Sequence, residues 1–183
     1  MKDLFLVTGN AGKLREWKRL LPSRIPLKAV DEDLPEIQSI DLEEIARDKA
    51  RRAFAIVGKP VVVEDISAGL EELNGLPGPF IKDFEKKLGL DALHKMARSD
   101  AAPAIVTCSI AYYDGKNEFT ISAEVSGIAV PERGDNGFGF DKCFMPSGQG
   151  KTYGEMTPQE KDAVSHRSKA ITLFVKKLDE LKL

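Results

Sequence analysis

Hydrophobic and polar positions change period several times along the chain, and each change predicts an element. Leu4-Phe5-Leu6-Val7 is an unbroken apolar run of strand length, while Leu14, Trp17, Leu20 and Leu21 recur at helical spacing. The pattern predicts a strand and then a helix, with Thr8-Gly9-Asn10-Ala11-Gly12-Lys13 turning between them. Ile25 to Val30 reads as a second strand, followed by a proline-broken acidic loop, Asp31-Glu32-Asp33-Leu34-Pro35-Glu36-Ile37. Asp41 and Glu44 form a capping pair for a long helix whose stripe is Leu42, Ile45, Ala46, Ala50, Ala53, Phe54 and Val57. Gly58-Lys59-Pro60 closes that helix and opens a buried strand, Val61-Val62-Val63, which ends in two acids, Glu64 and Asp65.

The second half changes character. Leu73 to Pro79 is a glycine-proline loop, and Pro79 suits the first position of a helix with an apolar face of Phe80, Ile81, Phe84 and Leu88. From Ala104 to Tyr113 the residues alternate, Asp114-Gly115 offers a tight turn, and alternation resumes from Glu118 to Val125, predicting an antiparallel hairpin with one wet face. Ser165 caps a C-terminal helix carrying Ile171, Phe174, Val175, Leu178 and Leu181. Parallel strands in the first half, extended by this hairpin, make a mixed sheet in an α/β fold. At 183 residues and 42% hydrophobic, one domain over residues 1–183 is expected, with room for two lobes sharing the sheet.

Charge and cysteine usage narrow the function. Acids outnumber bases 29 to 27, so no global positive field gathers nucleic acid, although local cations can still bind a small anion. Cys108 and Cys143 sit singly, without metal spacing, which argues against zinc or a disulfide scaffold and fits a reducing cytoplasm. The Met1 to Val7 run is too brief for a signal or a membrane span, so no membrane partner is expected.

Several positions carry candidate chemistry. A carboxylate at the end of a dry strand needs a cation, a donor or water, so Asp65, helped by Glu64 or another acid, either holds a divalent metal or sits in a solvated turn. Glu36 is the second carboxylate to consider, because Mg2+ is held by one or two protein acids plus substrate phosphates. Thr8 to Lys13 is either an anion cradle at a helix N-terminus or an ordinary cap, and it lacks P-loop spacing. Lys49 falls within the alanine stripe of its helix, where it either snorkels to water or reaches an anion. Lys82, a cation in a first helical turn, opposes the macrodipole unless an anion is near. Phe138 and Phe140, set among glycines, are either apolar plugs or stacking platforms for a base. His166 and Arg167 are either surface residues or donors at a site.

Together, Thr8-Gly9-Asn10 with Lys13, Leu34-Pro35-Glu36, Val63-Glu64-Asp65, Gly75-Leu76-Pro77-Gly78, Phe138-Gly139-Phe140-Asp141, Glu160-Lys161 and Ser165-His166-Arg167 fall in register along the chain. In this the chain resembles the inosine triphosphate pyrophosphatase family, the Ham1-like, non-standard purine NTP pyrophosphatases. The resemblance implies Mg2+-dependent hydrolysis of ITP, dITP or XTP to the monophosphate and pyrophosphate. It also implies an elongated molecule, an active-site groove between two lobes, and a homodimer. By the same resemblance, Glu36 and Asp65 hold the metal, and Asp65 is also the general base. Thr8, Gly9, Asn10, Ala11, Gly12 and Lys13 cradle phosphates, assisted by Lys49 and Lys82. Ile66, Phe138, Gly139, Phe140, Asp141, Lys161, His166 and Arg167 form the nucleoside site, where His166 and Arg167 donate to a 6-oxo group that a 6-amino group cannot replace. Three residues depart from the pattern: Ile66 stands for a usual Thr or Ser, Lys142 for proline, and Asp162 for asparagine.

Overall fold

The computed structural model describes residues 3–183; Met1 and Lys2, the start of the N-terminal run, lie outside them. The elements are β1 (Leu4–Val7), α1 (Ala11–Leu20), β2 (Leu27–Val30), α2 (Leu42–Val57), β3 (Val61–Leu70), β4 (Pro77–Gly78), α3 (Ile81–Leu88) and α4 (Ala92–Lys95). Then come β5 (Ala102–Tyr113), β6 (Glu118–Ala129), β7 (Phe144–Pro146), α5 (Pro158–Val164) and α6 (His166–Leu181). Helices flank a seven-stranded sheet of order β2-β1-β3-β5-β6-β7, with β4 beside β3. Parallel pairs of β1 with β2 and β3, and antiparallel pairs of β4 with β3 and β7 with β6, make it mixed. The α/β class is therefore the expected one.

Two compact units divide the chain, and each is assembled from separated stretches. One comprises residues 1–65, 108–123 and 167–183; the other comprises 66–107 and 124–166. Strands β3, β5 and β6 lend residues to both. In the first unit, Ala46, Ala50 and Ala53 of α2 pack with Val7, Leu34, Val61, Val63 and Ala111. Small side chains let the helix lie close to the strands, and each fully buried valine stabilises the fold by about 1.5 kcal/mol or more. The second unit has its own core, which includes Leu70, Leu93, Val106, Phe144 and Tyr153.

Local chemistry explains the boundaries. Asp41 caps α2, its Oδ1 accepting from the N–H groups of Glu43 and Glu44 at 2.9 and 3.2 Å. The reciprocal half of the cap belongs to Ser39, which donates to Glu44 at 2.6 Å and accepts from the Asp41 N–H at 3.0 Å. Gly58 ends the helix in the left-handed conformation at φ 65°, as its position predicts.

Three expectations are corrected. First, the valine strand does not end at Glu64 and Asp65 but runs on to Leu70, leaving both acids buried mid-strand. Partners distant in sequence neutralise them there. Second, Pro79 precedes α3 instead of starting it. Pro77–Gly78 pairs with β3, and the Phe80 N–H bonds to the Pro77 carbonyl at 3.2 Å, so helix begins only at Ile81. Of its expected apolar face, Ile81 is buried while Phe84 and Leu88 are exposed. Third, β5 has no wet face from Cys108 to Tyr112, where every residue is buried.

Candidate active site

Glu36 and Asp65 converge on one cation, the ammonium of Lys49. Its Nζ lies 2.7 Å from Glu36 Oε1 and 2.9 Å from Asp65 Oδ2. The sequence puts it there by steps. Leu34 is buried in the first unit's core and anchors the acidic loop, while the alanine stripe of α2 turns Lys49 inward. Of the two fates open to Lys49, the structure shows the anion-bound one. Burial works against its charge, but Asp65 and then Glu36 outweigh burial and raise its affinity for the proton above that of an ordinary lysine.

Two carboxylates and one ammonium leave one net negative charge. Among the described residues, no group of three or more His, Cys, Asp or Glu side chains is gathered for a metal. A paired-acid donor set of this kind fits a hard divalent ion that completes its coordination with water and substrate oxygens, and it does not fit zinc.

Next to Asp65 the chain buries a second ionic cluster. Arg167 Nε lies 2.8 Å from Glu64 Oε2, its Nη2 lies 2.7 Å from Oε1, and its Nη1 bonds Glu16. Trp17 Nε1 donates to Glu64 at 2.7 Å, and Lys13 Nζ donates to the Glu64 carbonyl at 3.2 Å. Burial alone would raise the Glu64 carboxyl; Arg167 and Lys13, with hydrogen bonds from Arg167 and Trp17, hold it down at about 2. Lys13 is thereby fixed beside the strand that carries Asp65. Cys108 lies in the same interior, where burial and then Glu64 push its thiol far up, so it stays protonated and unreactive.

The Thr8 to Lys13 turn behaves as a capped helix start. Asn10 Oδ1 accepts from the Gly12 and Lys13 N–H groups at 2.8 and 3.1 Å, and Thr8 Oγ1 accepts from the Asn10 N–H at 3.1 Å. Those three N–H groups are satisfied internally, and the Lys13 side chain is the cation of the turn.

In the second unit a different set gathers around Asp141, whose Oδ2 accepts from Lys161 Nζ at 2.6 Å and from the Phe138 N–H at 2.7 Å. The turn is tight enough to require glycine: Gly137 has φ 79°, and a Cβ there would stand 2.2 Å from Asp141 Oδ2. Lys161 Nζ lies 5.0 Å from the Phe138 ring centre and 5.3 Å from that of Tyr153. The two phenylalanines separate in role: Phe140 is buried, and Phe138 is half-buried. His166 is buried between Phe140 and Tyr153, with ring centres 6.0 and 5.8 Å away.

The remaining expected residues are accounted for as follows. Gly9 and Ala11 lie in the capped turn, Gly139 begins the one-turn helix after Phe138, and Lys82 is exposed on α3. Ile66 packs against the second unit's core, so an apolar residue is at home there. Lys142 points to Asp135 at 3.5 Å, and Asp162 is half-buried on α5.

Glu16, Trp17 and Tyr153 were not singled out from the sequence. Trp17 read as one member of a helical stripe, and Glu16 offered no signal beside it. Tyr153 follows a glycine-rich stretch with no period.

Comparison with known proteins identifies the family. The model of the Ham1 family matches residues 4–177. Over 173 residues, 92% of each chain, the sequence is 43% identical to the inosine triphosphate pyrophosphatase of Yarrowia lipolytica. It is 40% identical over 178 residues, again 92% of each, to the protein of that name from Puccinia graminis f. sp. tritici. A HAM1 protein from Coxiella burnetii has the same fold, with a TM-score of 0.79 at 29% identity over 98% of this chain and 100% of the other. The chain belongs to the Ham1 family.

Proposed function

We propose that the protein hydrolyses non-standard purine nucleoside triphosphates, ITP, dITP and XTP, to the monophosphate and pyrophosphate. The observation that carries this reading is the convergence of Glu36 and Asp65 on a buried lysine. That centre has the charge an anhydride-cleaving site needs, in a chain whose relatives bear the matching name. Phosphoryl chemistry is governed by positioning and neutralisation of charge more than by covalent help.

Glu36 and Asp65 would hold Mg2+. When bound, the ion neutralises charge on the phosphate oxygens and orients them. Lys49 engages one Asp65 oxygen, and an ionised carboxylate keeps capacity to accept a further proton, so Asp65 takes one from the attacking water. Lys13 and Lys49 attract the triphosphate, and Lys82 adds a third ammonium for it. Phe138 stacks on the base, Asp141 and Lys161 keep its turn in shape, and His166 is the donor to a 6-oxo group. Arg167, committed to Glu64 and Glu16, acts by holding Glu64 and with it Lys13. A homodimer in the cytoplasm completes the reading; the two buried free thiols are consistent with a reducing compartment.

Hydrolysis of ITP and ATP with Mg2+, with products resolved by chromatography, tests this. Inosine monophosphate and pyrophosphate are expected, with kcat/KM for ITP exceeding that for ATP by roughly 10- to 100-fold, the cost of leaving one buried donor unpaired. Release of inorganic phosphate and a diphosphate, or equal use of ATP, would overturn it.

A further inference from the structure

A cleft of about 600 Å³ lies in the first unit, and the reaction above uses none of its residues. Its apolar walls are Leu4, Ile25, Pro60, Leu178 and Leu183. Leu4 opens β1 and Pro60 precedes β3, its parallel neighbour, so the cleft stands where both strands begin. Asp65 follows Pro60 by five residues, about 16 Å along an extended strand, and Lys13 follows the opposite end of β1. A volume of about 300–1,000 Å³ with apolar walls and a few placed polar groups is the usual form of a small-molecule site.

Three of the polar side chains in the cleft are already engaged. Asp114 Oδ1 accepts from the N–H groups of Lys116 and Asn117 at 2.9 and 2.7 Å. Its Oδ2 accepts from Asn117 Nδ2 at 3.0 Å and from the Tyr112 hydroxyl at 3.2 Å. Asp179 takes both Nη nitrogens of Arg24, at 2.8 and 2.7 Å. The fourth, Lys182, pairs with no acid among the described residues. Its backbone is held in place. The Lys182 N–H bonds to the Asp179 carbonyl at 3.2 Å and the Leu183 N–H to the Leu178 carbonyl at 3.1 Å, the two bonds that close a helix through a left-handed residue. Lys182 is that residue, at φ 54°. Glycine takes this conformation without steric cost, whereas a residue with a Cβ is strained in it. Strain of this kind is kept where a particular side chain is needed, and here it brings the cleft an ammonium with no counter-ion among the described residues.

We propose that this cleft is a second binding site, separate from the reaction centre, for a small amphipathic monocarboxylate: its apolar body lies against Leu4, Ile25, Leu178 and Leu183, and its carboxylate meets the Lys182 ammonium. Apolar walls disfavour a ligand that is charged throughout, because its remaining charges would lose water without gaining a partner. The unmatched charge is a single ammonium, which balances a single anion, and the carboxylates of Asp114 and Asp179 oppose a phosphate dianion. Aliphatic and aromatic acids share this chemistry.

Titration of octanoate into the isotope-labelled protein at neutral pH, followed by amide NMR shifts, tests the proposal. Octanol and octylamine carry the same chain with a neutral and a cationic head, and naphthoate replaces the chain by rings. Octanoate is expected to bind with a Kd of about 1 mM, as a ligand of its size allows, and to move the amides of Leu4, Ile25, Leu178 and Leu183. Octanol and octylamine bind about tenfold or more weakly, the loss of one charge-assisted hydrogen bond. The tighter of octanoate and naphthoate tells a chain from a ring. Lys182→Gly weakens octanoate by the same factor while its unfolding midpoint in urea stays at or above wild type, since glycine suits the left-handed cap. Lys182→Arg keeps the affinity, and ITP hydrolysis by Lys182→Gly is unchanged. Failure of both acids to bind, wild-type octanoate affinity in Lys182→Gly, octanol or octylamine binding as tightly as octanoate, or shifts spread away from the cleft would overturn the proposal.

Discussion

Asp65→Asn is expected to lower kcat for ITP by about 10²- to 10⁴-fold, the usual worth of a positioned general base. The substitution keeps the shape of the side chain and an oxygen that can still accept from Lys49, which lies 2.9 Å from Asp65 Oδ2. What it removes is the negative charge. Lys49 remains paired with Glu36 at 2.7 Å, so the variant folds, with an unfolding midpoint close to wild type in denaturant. The same loss of charge weakens a donor set that has only two carboxylates. Steady-state kinetics at saturating ITP, together with circular dichroism, separates loss of chemistry from loss of fold. Activity within a few-fold of wild type would remove Asp65 from the reaction.

Arg167→Met is expected to have the largest effect on stability. The guanidinium is buried, with Glu64 on two of its nitrogens and Glu16 on the third, and methionine fills similar space without charge. Two buried carboxylates then lose their main counter-ion. Breaking one side of a buried ion pair typically costs about 3–5 kcal/mol, a large share of a total stability of about 5–15 kcal/mol. Urea unfolding at neutral pH measures it.

The pH dependence identifies the cause. A Glu64 carboxyl held at about 2 contributes stability fully above its unfolded value of 4.5 and loses it as pH falls through about 2. Without Arg167, burial dominates and Glu64 protonates readily, so the gap between variant and wild type narrows as the solution is acidified below about pH 5. A gap independent of pH would mean that packing, not charge, is what Arg167 supplies.

What was legible in the sequence were features whose cause is local. Alanine periodicity puts Lys49 on the inner stripe of α2, while the choice between water and an anion at its end is made by Glu36 and Asp65, which lie outside the helix. Asp41 and Gly58 announced their helix ends because cap chemistry is decided within four residues. Thr157-Pro158-Gln159-Glu160 carried the same signal for α5, with Thr157 and Glu160 bonding reciprocally at 3.2 and 2.7 Å, yet seven residues are too few for an apolar period to draw attention to it.

Features fixed by distant partners were not legible. Charge at Glu64 and Asp65 read as the end of a strand because nothing nearby in sequence could neutralise it. The neutralising groups are Lys49, 16 residues from Asp65, and Arg167, 103 residues from Glu64. His166 and Arg167 are neighbours in sequence, yet one packs against Phe140 and Tyr153 while the other enters the Glu64 cluster. Nor could spacing distinguish Phe138 from Phe140, since both stand among glycines and only packing buries the second.

The joint use of Glu36 and Asp65 is tested most directly by titrating Mg2+ into ITP hydrolysis by Glu36→Gln. Lys49 keeps Asp65, so the centre stays assembled, but one of two anionic oxygen donors is gone. The expected result is a half-saturating Mg2+ concentration raised by about tenfold or more, the scale seen when groups supporting a metal are removed, with activity partly recovered at high Mg2+. A Mg2+ requirement identical to wild type would contradict it.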